Sequence, residues 1–396
     1  RAVKAARGRC KLIAQVGCVR TDDSVALAKA AAEYLLTTIE KPGAPLAGWP
    51  LTYQKSAVKP ELVKVCTAGT YDGQVMTLYP AAVGEAFLDY AAATGDARFR
   101  EAAVKIADTY VRLQGADGVW ALKLYLRDGK EVNPNRTVST GPVIFLDRVF
   151  ALTKKAAYRR AADRAFAFLE KGPLADWCWE GQFEDVKPRA RYQNLTKHNA
   201  CDMARLLVKR FPGDAKRLAQ ARELLRWSED QFVMWERPCR ADGTSLVPNA
   251  HCGFLKDVLH WSAPGVTEQY EWFVPIDASA AKMINTYLAL YRASRNPLDL
   301  VKARALGDAI VNAQREDGRI PTHWVNLDGD PAGTKPEAAS TTWINCLFAS
   351  CRALDNLRDA PPEWEDPSET GVNRLEARSY LPPAKDVKAV EAILGG

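Results

Sequence analysis

What most constrains this chain is a recurring alternation of two kinds of helical segment. Asp22–Ile39, Arg98–Gln114, Tyr158–Glu170, Ala215–Phe232 and Leu300–Gln314 are amphipathic and rich in Ala, Arg and Lys, with apolar residues at helical spacing along one stripe. Met76–Thr94, Ser139–Thr153, Leu195–Phe211, Pro275–Arg295 and Glu337–Asn356 are more continuously apolar. A helix with one apolar stripe belongs at the outside of a fold, and one apolar nearly all round belongs inside. The segments therefore read as outer and inner helices taken in turn. Tryptophans mark the passage from outer to inner at 49, 120, 179, 235 and 324, an uneven spacing. Solenoids tend to hold their period, so unequal helical hairpins predict an all-α (α/α)n toroid of about five to seven hairpins. The pattern spans roughly residues 20–356 as one domain covering 1–396, with the Pro- and acid-rich tail 357–396 packing on the outside.

No strand–helix alternation supports a parallel sheet. Short β-hairpins are expected in the loops, for instance Val119–Tyr125 with Arg127-Asp128-Gly129 as its turn. No apolar run approaches the ~18 residues of a membrane span. Net charge is +6, spread over many helices, and no nucleic-acid-binding motif occurs, so neither nucleic acid nor membrane is expected as a partner. The nine cysteines include no CxxC pair; most read as small buried hydrophobes, while Cys239 and Cys252 flank one loop and could bridge in an oxidising compartment. No Gly-rich phosphate loop, His-Glu-x-x-His or Gly-x-Ser-x-Gly is present, and no ligand spacing announces a metal, so no cofactor is expected. Oligomeric state is not legible.

In a ring of such hairpins, every loop entering an inner helix lies at one end. Residues far apart in sequence would then meet at one mouth: Thr70, Tyr71 and Asp72; Asn135 and Arg136; the 177–199 stretch; His251, His260 and Trp261; 268–272; and His323, Trp324 and Trp343. All four histidines (198, 251, 260, 323) fall there, and two are expected to touch substrate or chemistry. The 177–201 stretch is densest, with Trp177, Trp179, Glu180, Glu184, Asp185, Arg189, Arg191, Tyr192, Asn194, His198 and Asn199. Aromatic platforms beside carboxylate, guanidinium and amide groups suit a sugar, which offers apolar faces to stack on and hydroxyls at its rim. Each choice has a plainer alternative: Asn194 as the cap of a helix beginning at Leu195, Tyr270 as a packing aromatic, the tryptophans as plugs between helices.

The repeat, together with Trp-Glu-Gly-Gln-Phe-Glu-Asp (179–185), Tyr-Gln-Asn-Leu-Thr-Lys-His-Asn (192–199) and Thr-Glu-Gln-Tyr-Glu-Trp (267–272), resembles the α/α-toroid polysaccharide lyases that cleave uronic-acid polymers such as glucuronan and alginate. That resemblance implies β-elimination, in which an Asn, with His or Arg, neutralises the uronate carboxylate while a Tyr moves the proton from C5 to the leaving O4. Carried onto this chain, it makes Tyr270 the first choice of base and Tyr192 the second. Asn194 or Asn199, with His198 or Arg191, is the neutraliser, and His251 or His260 the partner. Trp179, Glu180, Glu268, Trp272, His323 and Trp324 join Tyr192, Asn199 and His260 in holding an acidic polysaccharide or oligosaccharide. The chain begins at Arg1, which reads as a mature or trimmed form, and a periplasmic or secreted location is expected. The first alternative is a glycoside hydrolase of the same architecture, its carboxyl pair drawn from Glu180, Asp185, Glu236, Glu268 and Asp277. The second is a glycan-binding helical-repeat protein without catalysis.

Overall fold

A computed structural model describes residues 21–50, 73–132, 134–177, 197–236, 263–269, 272–315, 319–324 and 344–360. The described chain is mostly helical and its helices are paired. They fall into two compact units, one within 20–195 and the other within 196–396.

In the first unit α1 (Thr21–Thr37) precedes two hairpins: α2 (Tyr79–Thr94) with α3 (Ala97–Leu113), and α4 (Thr140–Thr153) with α5 (Ala156–Lys171). A single turn, α6 (Pro173–Asp176), follows. The outer helices bury one stripe only; on α5 it is Tyr158, Ala161, Ala162, Ala165, Phe166 and Leu169. Inner helix α2 lies so close to α4 that a Cβ on Gly84 would stand 2.4 Å from the Phe145 ring.

Two tryptophans of this unit, Trp49 and Trp120, plug its core. Trp49 and Trp120 are fully buried, and their indole N–H groups donate to the carbonyls of Ile106 (3.3 Å) and Tyr110 (2.8 Å). Tyr110 packs against both rings, donates its hydroxyl to the Thr77 carbonyl and accepts from the Ala81 amide at 2.9 Å. Burial pushes that phenol well above its ordinary range. β1 (Gln74–Met76) pairs antiparallel with β2 (Lys123–Tyr125) in the register Val75 opposite Leu124. The expected turn at 127–129 forms, with Gly129 at φ 69° and its amide bonded to the Tyr125 carbonyl at 2.8 Å. The strand before it is shorter than expected because β1, from the preceding loop, takes the regular pairing, leaving isolated bridges from Leu124 to Glu131 and from Ala121 to Arg136.

The second unit contains α7 (Lys197–Arg210) hairpinned to α8 (Ala215–Phe232), then α9 (Asp277–Ser294) hairpinned to α10 (Pro297–Asn312), and α11 (Ile344–Arg358). Between α8 and α9, β3 (Val233–Met234), β4 (Gly265–Gln269) and β5 (Trp272–Pro275) form a three-stranded antiparallel sheet. α9 is the heart of this unit, packed against α7, α8, α10 and α11 and burying residues on every side. The cysteines described, 201, 346 and 351, are buried, and Cys239 and Cys252 lie outside the described residues.

Inner and outer helices are joined by one recurring turn. The residue ending the inner helix is left-handed (Gly95, Lys154, Arg295), its amide returning to the carbonyl four residues back. The next residue opens the outer helix, and Asp96, Asp214 and Asn296 cap it with a side-chain oxygen on a backbone amide at 3.0–3.1 Å. Gly213 is likewise left-handed before Asp214. Among the described residues no helix is long and apolar enough to cross a membrane.

Candidate functional site

In the second unit the described part of the expected mouth centres on the start of α9. β5 runs straight into this helix, and residues 321–324 pass antiparallel beside the junction as a strap. Ile276 bridges His323, the Asp277 amide donates to the Thr322 carbonyl at 3.1 Å, and the Trp324 amide donates to the Pro275 carbonyl at 2.8 Å. On its other side the Ile276 amide donates to the Val266 carbonyl of β4 at 3.0 Å. The chain therefore enters α9 clamped between β4 and the strap.

This clamp holds the carboxyl of Asp277, the first residue of α9, which is 0% exposed. One oxygen accepts the Ala278 amide at 2.8 Å; the other accepts the Ser350 hydroxyl, from α11, at 3.2 Å. An aspartate at a helix N-terminus that serves only as a cap is stabilised as the anion. Here burial outweighs the hydrogen bonds and pushes the carboxyl up to about 7. A carboxyl that exchanges its proton near neutrality is what acid–base chemistry requires.

His323 is 2% exposed, and burial pushes its imidazole down to about 4, so it is neutral at physiological pH. Trp324 is 1% exposed and donates its indole N–H to the Pro321 carbonyl at 3.1 Å. That corrects the expectation of Trp324 as a sugar platform: with both faces packed, it fastens the strap and offers no surface for stacking.

His198 and Asn199 fall in the first turn of α7, and Glu268 and Trp272 lie on β4 and β5; the side chains of all four lie outside what is described. α7 is described from Lys197, and its expected start at Leu195 lies outside the described residues. It is tied to α9 by Asp202, which accepts from Lys282 at 2.7 Å, so the two helices run together. Tyr270, Asn194, His251, Arg191, Trp179, Glu180, Tyr192 and His260 lie outside the described residues, as do Thr70, Tyr71, Asp72, Asp185, Trp261 and Trp343. In the first unit, Arg136 is held by Asp117 (2.8 Å) and Glu131 (3.0 Å). Glu236 is exposed just after β3. Among the described residues no group of His, Cys, Asp and Glu could hold a metal ion.

Sequence reasoning gave Asp277 only as one of five carboxylates and missed Ser350. Its signal was nevertheless present: Ser350 is fully buried on the stripe Cys346, Leu347, Cys351 and Leu354, a polar residue at an apolar position. Such a residue has a buried partner to meet.

The paired helices and small sheets place the fold in the α/α-toroid class. The chain is similar to cellobiose 2-epimerase from Spirochaeta thermophila DSM 6192 (TM-score 0.53, 13% identity, covering 90% of this chain and 86% of that one). It is equally similar to a D-mannose isomerase (TM-score 0.53, 14% identity, 89% and 84% covered). A looser likeness links it to the GH76 α-mannanase BT2949 of Bacteroides thetaiotaomicron (TM-score 0.46, 16% identity, 72% and 69% covered). No protein-family model matches the sequence, and no curated protein does.

Proposed function

We propose that the protein is a carbohydrate-active enzyme whose site lies at the start of α9, with Asp277 as its proton-carrying carboxyl. The observation that carries this reading is that carboxyl: wholly buried, clamped by β4 and the strap, and held near neutrality on the inner helix of a fold shared with sugar-converting enzymes. Fold alone does not assign chemistry. The raised carboxyl adds the specific element, because an ordinary aspartate would be ionised and unable to donate at pH 7.

The reaction class this favours is glycoside hydrolysis. Asp277 would protonate the leaving glycosidic oxygen while a second carboxylate takes the proton of the attacking water; Glu268 on the adjoining β4 strand is the candidate for that role. Asp277 is 0% exposed, so a sugar reaches its carboxyl only once the start of α9 is uncovered.

The test is a panel of neutral oligosaccharides and uronate polymers, including glucuronan and alginate, read for mass, reducing ends and ultraviolet absorbance. New reducing ends without a chromophore support hydrolysis. Reducing ends with a C4=C5 chromophore would replace it with uronate elimination through Tyr270, Asn194, His198, His251 and Arg191. A product of unchanged mass would replace it with epimerisation or isomerisation, and binding without turnover would reduce the protein to a glycan-binding module.

A further inference from the structure

We infer that Ser350, on the last described helix, is a positioning residue that sets how readily Asp277 takes up and gives up its proton. This rests on the reading of Asp277 as the proton-carrying group. The two residues are 73 apart in sequence, both are 0% exposed, and they meet where α11 packs on α9.

A hydroxyl suits this position because it can serve both states of the carboxyl. It donates to the carboxylate, and by turning about its C–O bond it accepts from the carboxylic acid. Apolar residues in its place would leave a buried oxygen without a side-chain partner, and a lysine would pin the group as an anion. The two arrangements are unequal in strength, since a hydrogen bond to a charged acceptor is roughly twice as strong as a neutral one. Ser350 therefore favours the ionised form and counteracts burial, the direction in which its bond acts on Asp277.

Other groups around α9 are engaged elsewhere. Asp202 of α7 is paired with Lys282, Glu229 of α8 with Lys302 of α10, Asp299 of α10 with Arg222 of α8, and Asp355 of α11 with Arg358. His323, on the strap, is neutral over the range in which Asp277 titrates. Glu268 of β4 and Cys346, Cys351 and Arg352 of α11 are further titratable or charged groups on the elements that meet at this junction, and none of them acts on the Asp277 carboxyl as Ser350 does. Control of the carboxyl among the described side chains thus falls to Ser350.

The experiment is a pH titration of the Asp277 carboxyl in the full-length protein by difference infrared spectroscopy, the band being assigned by its loss in Asp277→Asn. Ser350→Ala is expected to raise the midpoint by roughly one pH unit, the difference between a charge-assisted and a neutral hydrogen bond. Ser350→Thr, which keeps the hydroxyl, is expected to restore the wild-type midpoint. Ser350→Cys, a weaker donor, should fall between and serves should the alanine variant fail to fold. A midpoint unmoved in Ser350→Ala, or in Ser350→Cys where only that variant folds, overturns the inference. The carboxyl is read directly, so the result stands whether or not any sugar is turned over; failure of the catalytic reading would show separately, as activity retained in Asp277→Asn.

Discussion

Keeping Asp277 protonatable near neutrality has a consequence for stability that can be worked out from the structure. The carboxyl is raised from 3.8 to about 7 in the folded protein, whereas in the unfolded chain it returns to the ordinary value. Between those pH values the folded state holds a proton that the unfolded state has released. Unfolding is therefore increasingly favoured as pH rises, by about 1.4 kcal/mol per pH unit and about 4 kcal/mol in all. Asp277→Asn removes the titration while keeping the shape and an oxygen to accept the Ala278 amide. The quantity to measure is the difference in unfolding free energy between variant and wild type, by urea denaturation at closely spaced pH values, so that every other titrating group cancels. The difference should be constant below about pH 4, grow through neutrality in the variant's favour, and level off at about pH 8. His323 supplies an internal control of opposite sign. Its imidazole is depressed to about 4, so it withdraws stability as pH falls below its ordinary value, about 3 kcal/mol in total, and His323→Gln should gain relative to wild type on the acid side alone. A flat Asp277→Asn difference across the range would refute the reasoning, because it would mean the carboxyl titrates as it does in the unfolded chain.

Other sites test the fold itself. Gly84→Ala places a methyl group against the Phe145 ring where α2 meets α4 and should cost roughly 1–3 kcal/mol in thermal or chemical unfolding. Lys154→Gly relieves a left-handed lysine at φ 58° between α4 and α5 and should stabilise by about 1 kcal/mol in the same assay. Trp120→Phe leaves the Tyr110 carbonyl without its indole donor and opens space beside that ring, so a loss of a few kcal/mol is expected, read as a lower urea midpoint.

The helical alternation was legible because burial imposes its period directly on the sequence. Nine of the ten expected segments, 98–114 and 275–295 among them, reappear as helices within a few residues where they are described, and the tenth, 337–356, is described from Ile344. The turns between inner and outer helices were equally written in Thr-Gly-Asp (94–96) and Pro-Gly-Asp (212–214), though Lys154 and Arg295 fill the same left-handed position without glycine and hide the rule. Trp324 misled where it was taken as surface. An indole with one N–H and a large apolar body serves a sugar or a core equally well, and composition cannot tell which face is open. Trp324 went to the core because the strap beside α9 needed fastening. Ser350 escaped notice because a hydroxyl in an apolar helix acquires meaning only from a partner seventy-three positions away.

The most direct measurement is the pH dependence of kcat/KM on whichever sugar of the panel is converted, for wild type and Asp277→Asn side by side. The wild-type profile should fall on the alkaline side with an apparent pKa near 7, as the carboxyl loses the proton it must donate, and the variant should lose most of its activity at every pH. A variant that turns over the same sugar at the wild-type rate with the same profile would make Asp277 a buried structural acid and move the chemistry elsewhere in the chain.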